Sequence, residues 1–87
     1  MAYRIEFTHS SEKEFKKLDS VVKQRVSDAV VELEDNPRPS GCVALKDYKS
    51  IYRIRIGKFR VIYEVQDKVL LVLVIRIAKR EDVYNDF

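Results

Sequence analysis

Apolar positions in this chain repeat with two different periods. Tyr3, Ile5 and Phe7 alternate with polar neighbours, predicting a strand over about residues 2–8. Thr8-His9-Ser10-Ser11 then supplies turn and cap chemistry. Ser11-x-x-Glu14 fits a capping box, with Ser10 as an alternative cap, opening a short helix to about Leu18. Asp19-Ser20 breaks and recaps the chain. A second helix runs to about Asp35, with Val22, Val26, Ala29, Val30 and Leu33 at helical spacing. Pro37 and Pro39 close it in a loop. The period of two then returns in Tyr52, Ile54 and Ile56, and in Phe59, Val61, Tyr63 and Val65. Gly57-Lys58 between these runs suits a two-residue type II′ hairpin. After a turn at Gln66-Asp67-Lys68 comes a last strand from about Val69 to Ile77. Val69 to Ile75 is apolar throughout, so this strand should be covered on both faces and central. The order β-α-α-β-β-β predicts one α+β domain over residues 1–87. Its helical hairpin should cover one face of a mostly antiparallel sheet.

Parity assigns chemistry to the other face. With a two-residue turn Ile56 faces Phe59, so Arg55 lies directly across from Arg60, and Arg53 shares their side. Like charges opposed across a strand pair are destabilising. Guanidiniums gathered this way point to an anionic ligand, on what should be a shallow, open concavity.

Charge distribution supports that direction. The net charge is +3, but residues 1–44 carry −1 and residues 45–87 carry +4. Within 46–60, Lys46, Lys49, Arg53, Arg55, Lys58 and Arg60 face Asp47 alone, a local +5. Concentrated positive charge is the footprint of a polyanion partner. A solvated face, or an edge protected from aggregation, competes for Lys46, Lys49 and Lys58 but explains the arginines poorly. Beyond the last strand, Lys79-Arg80 and Tyr84 lie just past the sheet and could fold over the concavity. Tyr84 could stack on a base or simply pack on the body.

Other chemistries find little support. There is no glycine-rich phosphate loop, no metal-ligand spacing and no acid pair beside a histidine, so no cofactor is expected. His9 falls in a cap region, and Cys42 is alone, which suits a reducing compartment. No apolar run reaches membrane-spanning length and no secretion signal opens the chain, so a cytoplasmic location is expected. Arginine binds phosphate bidentately and stabilises a pentacoordinate transition state. Such a set suits RNA cleavage in which the substrate's own 2′-OH attacks the adjacent phosphate.

The start MAYRIEF, Asn36-Pro37-Arg38, LKDYKSIYRIRI, FRVIYEV and VLVIRIAKRE-DVY jointly resemble the RelE-type toxins of the RelE/ParE superfamily. The resemblance covers nearly the whole chain. It implies a microbial-ribonuclease-like fold and metal-independent, ribosome-dependent cleavage of mRNA in the A site of the small subunit. It also implies a RelB-like antitoxin in a hetero-oligomeric complex, with operator DNA bound only through that antitoxin. By the same resemblance the two basic residues of the first hairpin strand fall on Arg53 and Arg55. The transition-state arginine falls on Arg60, the arginine of the following turn on Arg80, and the tyrosine after it on Tyr84. Lys46, Lys49, Lys58 and Lys79 would contact RNA or ribosome.

This chain departs from the best-known relatives in carrying arginine where they carry lysine at positions 53 and 55. Arginine stays protonated, so Arg55 would position the 2′-oxygen rather than accept its proton. Glu64 is a candidate base, or a salt-bridge partner moderating the arginines, the reading preferred here. The alternatives are a ParE-type gyrase poison and a catalytically weakened RNA-binding relative.

Overall fold

Among residues 2–79, which the computed structural model describes, five strands form one sheet in the order β1-β5-β4-β3-β2. Helices α1 (His9–Lys16) and α2 (Ser20–Glu32) follow β1 (Arg4–Phe7) directly. β1 runs parallel to β5 (Leu71–Lys79). The pairs β5 with β4 (Phe59–Gln66), β4 with β3 (Ile51–Ile56) and β3 with β2 (Val43–Ala44) are antiparallel. The expected helical hairpin on one face of a mostly antiparallel sheet is therefore present. β2 is additional; two residues are too few to give a periodic signal.

The helical stripe does what its spacing requires. Val26, Val30 and Leu33 bury against Ile54, Ile56, Val61, Tyr63, Val65, Val72, Val74 and Ile77. The β3 and β4 members follow the predicted alternation, and Phe15 and Leu18 of the first helical segment pack at the margin. β4 holds the middle of the sheet, and β5 lies beside it, flanked on both edges.

Three local details differ from expectation. Thr8, not Ser11 or Ser10, caps α1: its hydroxyl oxygen accepts the Ser11 amide at 3.1 Å. β1 ends at Phe7, so the chain must turn into the helix at once. Ser11 is instead fully buried and donates to the Val74 carbonyl at 2.7 Å. The final strand begins at Leu71, because Asp67–Val69 forms a 3₁₀ turn and Leu70 takes a left-handed φ of 52°. Val69, the first member of the apolar run, is consequently exposed. Finally, the β4–β5 register shifts between Ile62 and Tyr63, leaving Ile75 as an extra residue on β5.

Where β1 stops, α1 completes the edge of β5. Thr8 and Ser11 donate to the carbonyls of Ile75 and Val74, and the Ile77 amide donates to Glu14 Oε1 at 2.8 Å. Positions 8, 11 and 14 lie on one face of the helix. Their side chains satisfy main-chain groups that a longer strand would otherwise have paired.

Candidate nucleic-acid interface

The β3–β4 hairpin presents the arginines. Gly57 has φ 59°, and Lys58 is not among the positive-φ residues, the pattern of a type II′ turn. A side chain at Gly57 would be strained in that conformation. The turn fixes Ile56 opposite Phe59, Arg55 opposite Arg60, and Arg53 opposite Ile62. Arg53, Arg55 and Arg60 thus share the face turned away from the helices, as the parity argument predicts.

That face is less open than the sequence implied. Arg60 is only 2 % exposed, whereas Arg55 across from it is exposed and Arg53 half-buried. Ile62 and Ala78 are buried beside Arg60, with Leu45 and Ile51 packed against them. The main-chain bond from Leu45 N to Ile51 O, 2.9 Å, closes the loop that brings Leu45 there. A second, small apolar cluster therefore lies beside an arginine on this face. Arg60 is engaged within the fold rather than free.

The lysines divide. Lys46 and Lys49 are exposed in the loop that starts at Leu45, and Lys58 is exposed at the hairpin tip. Lys79 is also exposed, but it pairs in register with Phe59, and Arg60 pairs with Ala78. Strand alternation therefore assigns Lys79 to the helix side of the sheet, away from the arginine face. Arg80 and Tyr84 lie outside the described residues. Glu64 accepts the Gln66 side-chain amide at 3.0 Å. Among the described residues no ion pair joins Glu64 to Arg53, Arg55 or Arg60, so it does not moderate them as expected.

Two other arginines escaped the sequence reading. Arg76 pairs in register with Ile62, so it joins the arginine face. Its Nε donates to Glu14 Oε2 at 2.8 Å, tying the sheet to α1. The extra residue at Ile75 reset the parity of β5, which an unbroken apolar run conceals. Arg25 of α2 lies against the hairpin turn at Gly57.

Arg38 has a different task. It grips Asp67 through two nitrogens, at 2.7 and 3.2 Å, and donates Nε to the Tyr52 hydroxyl at 2.9 Å. The Tyr3 hydroxyl donates to the same carboxylate at 2.7 Å. The Arg38 guanidinium, followed by the Tyr3 hydroxyl, holds the Asp67 carboxyl below its ordinary range. Asp67 in turn raises Tyr3, first through that hydrogen bond, and with Tyr52 it raises Arg38. The buried Tyr63 hydroxyl donates to the Pro37 carbonyl at 2.8 Å, and burial, more than its neighbour Cys42, pushes this phenol up. Tyr52 and Tyr63 stack with ring centroids 6.0 Å apart. This network pins the 36–41 loop to the sheet and leaves Arg38 committed to the scaffold.

Comparison with known proteins follows the same outline. A family described as ParE toxin of type II toxin–antitoxin system, parDE, matches residues 5–84. A protein of Escherichia coli named as a RelE-like toxin is 36% identical, over 98% of this chain and 93% of its own length. The mRNA interferase toxin RelE of E. coli strain K12 is 32% identical, over 99% and 94%. Among solved structures, a free E. coli RelE toxin carrying two arginine-to-alanine substitutions superposes with a TM-score of 0.84 at 31% identity, covering 99% of this chain and 94% of that one. RelE in the intact E. coli RelBE toxin–antitoxin complex gives 0.82 at 30% identity, over 90% and 96%. No helix among the described residues is long and apolar enough to cross a membrane.

Proposed function

Because the chain belongs to the RelE/ParE family of type II toxins, we propose that it is an mRNA endonuclease acting in the ribosomal A site. Within that family the RelE relatives, similar over nearly their full length, favour RNA cleavage over gyrase poisoning. The observation that carries the reading is the sharing of one sheet face by Arg53, Arg55 and Arg60, with Arg55 directly across from Arg60.

The chemistry follows from those groups. The 2′-oxygen of the substrate attacks the adjacent phosphorus as the bond from phosphorus to the 5′-oxygen breaks. The products are a 2′,3′-cyclic phosphate, or the 3′-phosphate after its hydrolysis, and a 5′-hydroxyl. Arg53 and Arg55 hold the phosphate, and Arg55 also positions the nucleophilic oxygen. Arg60 neutralises the charge that grows on the pentacoordinate phosphorane. Arg60 is buried, so the same guanidinium is worth more there than in water. At 2 % exposure, Arg60 must be uncovered as RNA enters. Arg80 stabilises the departing 5′-oxygen, which takes a proton from water to become the 5′-hydroxyl, and Tyr84 stacks on the base. The proton of the 2′-OH goes to water or to a ribosomal group, because guanidiniums do not accept it. Charge stabilisation comes from arginine, so the reaction proceeds without metal.

By the same reading a RelB-like antitoxin holds the toxin in a hetero-oligomeric complex and supplies the contact with operator DNA. Similar solved structures at 26–30% identity are RelE toxins joined to a RelB antitoxin or its peptide. Primer-extension mapping on translating ribosomes tests the activity. Codon-level cuts on the ribosome are expected, with 5′-hydroxyl ends downstream. Intact mRNA together with inhibited DNA supercoiling would replace this reading with the gyrase one.

A further inference from the structure

The α2 helix and the hairpin turn meet at Arg25. A methyl group placed on Gly57 would sit 3.2 Å from Arg25 Nη1 and 3.7 Å from Nη2, so the guanidinium lies closely over the turn. Arg25 is exposed, and no ion pair or hydrogen bond engages its side chain among the described residues. Its helical neighbour Asp28 accepts instead from the Gln24 amide at 2.8 Å. Lys58 is exposed in the turn itself, and Arg55 is exposed two residues before it. Arg25 and Arg55 line one open cleft of about 340 Å³, which Asp28 and Glu32 also line.

Three cations held around one tight turn repel each other, and their exposure leaves them available to a ligand. The guanidinium is also preorganised: resting on the turn, it loses little side-chain freedom when it binds. The carboxylates of Asp28 and Glu32 discourage a phosphate from sinking into the cleft. A polyanion backbone passing over the hairpin tip meets Arg25 and Lys58.

We propose that Arg25 and Lys58 form a phosphate-binding rim at the tip of the β3–β4 hairpin that anchors RNA backbone away from the scissile phosphate held by Arg55. The proposal rests on the ribonuclease reading and extends its binding surface onto α2. Arg25 is a positioning residue in it, touching neither the reacting phosphate nor the 2′-oxygen.

The test compares wild type, Arg25→Gln, Arg25→Lys and Lys17→Gln in single-turnover cleavage of mRNA on translating ribosomes, titrated from 50 to 200 mM salt. Lys17→Gln removes the same charge from the end of α1. Arg25→Gln is expected to raise the half-saturating ribosome concentration about three- to tenfold. It should also shallow the slope of log affinity against log salt by about one. The rate at saturation should fall less than twofold, and the melting temperature should match wild type. Arg25→Lys should recover most of the affinity, and Lys17→Gln should behave as wild type. Equal behaviour of Arg25→Gln and wild type, or equal losses in Arg25→Gln and Lys17→Gln, overturns the rim. A fall in saturated rate without loss of affinity overturns the positioning role. A wild-type protein that cuts nothing on ribosomes removes the underlying reading, and the rim with it.

Discussion

Replacing Glu14 by alanine should be among the costlier single changes outside the apolar core. One carboxylate oxygen accepts the main-chain amide of Ile77 at 2.8 Å, and the other accepts Nε of Arg76 at 2.8 Å. Ile77 is 2 % exposed, so losing its acceptor leaves a buried donor unpaired. That costs about 1–3 kcal/mol. The ion pair adds less: its side chains are 21% and 26% exposed, and a pair of that kind contributes about 1 kcal/mol at most. Glu14→Ala should therefore lose about 2–3 kcal/mol. Glu14→Gln keeps an oxygen for Ile77 and should lose about 1 kcal/mol or less. At about 4–8 °C per kcal/mol for a domain of this size, the alanine variant should melt about 10–20 °C lower. Urea and thermal unfolding at neutral pH would measure both variants. A loss below about 0.5 kcal/mol for alanine, or equal losses for alanine and glutamine, would refute the idea that Glu14 completes the β5 edge.

Tyr63→Phe should cost about 1–2 kcal/mol in urea unfolding, because the Pro37 carbonyl loses its 2.8 Å donor inside the core. Asp67 has a folded-state pKa below its unfolded one. Its contribution to stability is thus complete above the ordinary carboxylate range and is lost as pH falls through the lower folded value. The stability gap between wild type and Asp67→Asn should narrow below about pH 4, and a gap independent of pH would contradict this. Arg55→Lys should leave the ribosomal cleavage rate equal or lower, since lysine lacks the bidentate fork. A clear gain, with a new pH dependence, would mean that a proton acceptor is needed at that position.

The layout of the sheet was legible because its signals are redundant. Alternation on both sides of Gly57, the turn chemistry of that glycine and the helical stripe through Val26, Val30 and Leu33 all agree. Parity alone sufficed to put Arg55 across from Arg60. What failed was any inference needing a second element. Ser11-x-x-Glu14 reads as a capping box, but both side chains answer to the main chain of β5, which is distant in sequence. The extra residue at Ile75 leaves no trace in a run where every position is apolar, so Arg76 could not be assigned a face. Leu45 packs beside Ile62 and Ala78 on the arginine face because its loop folds back to Ile51, and no local pattern announces that. Lys79 seemed part of the basic face because it adjoins Arg80 in sequence, yet its register with Phe59 sets it on the other side. Arg38 looked like part of a family motif, and its partners Asp67 and Tyr52 explain why it serves the scaffold instead.

Arg60 offers the most direct test of the central claim, that the arginine face of this sheet cleaves mRNA by stabilising charge on phosphorus. The measurement is the single-turnover rate of A-site codon cleavage on translating ribosomes, for wild type and Arg60→Ala. Thermal unfolding of the same preparations establishes that both are folded. Removing one preorganised donor of this type slows chemistry by about 10²–10³, and that is the expected loss for the folded variant. A folded Arg60→Ala protein that cuts within about fivefold of the wild-type rate would contradict the claim.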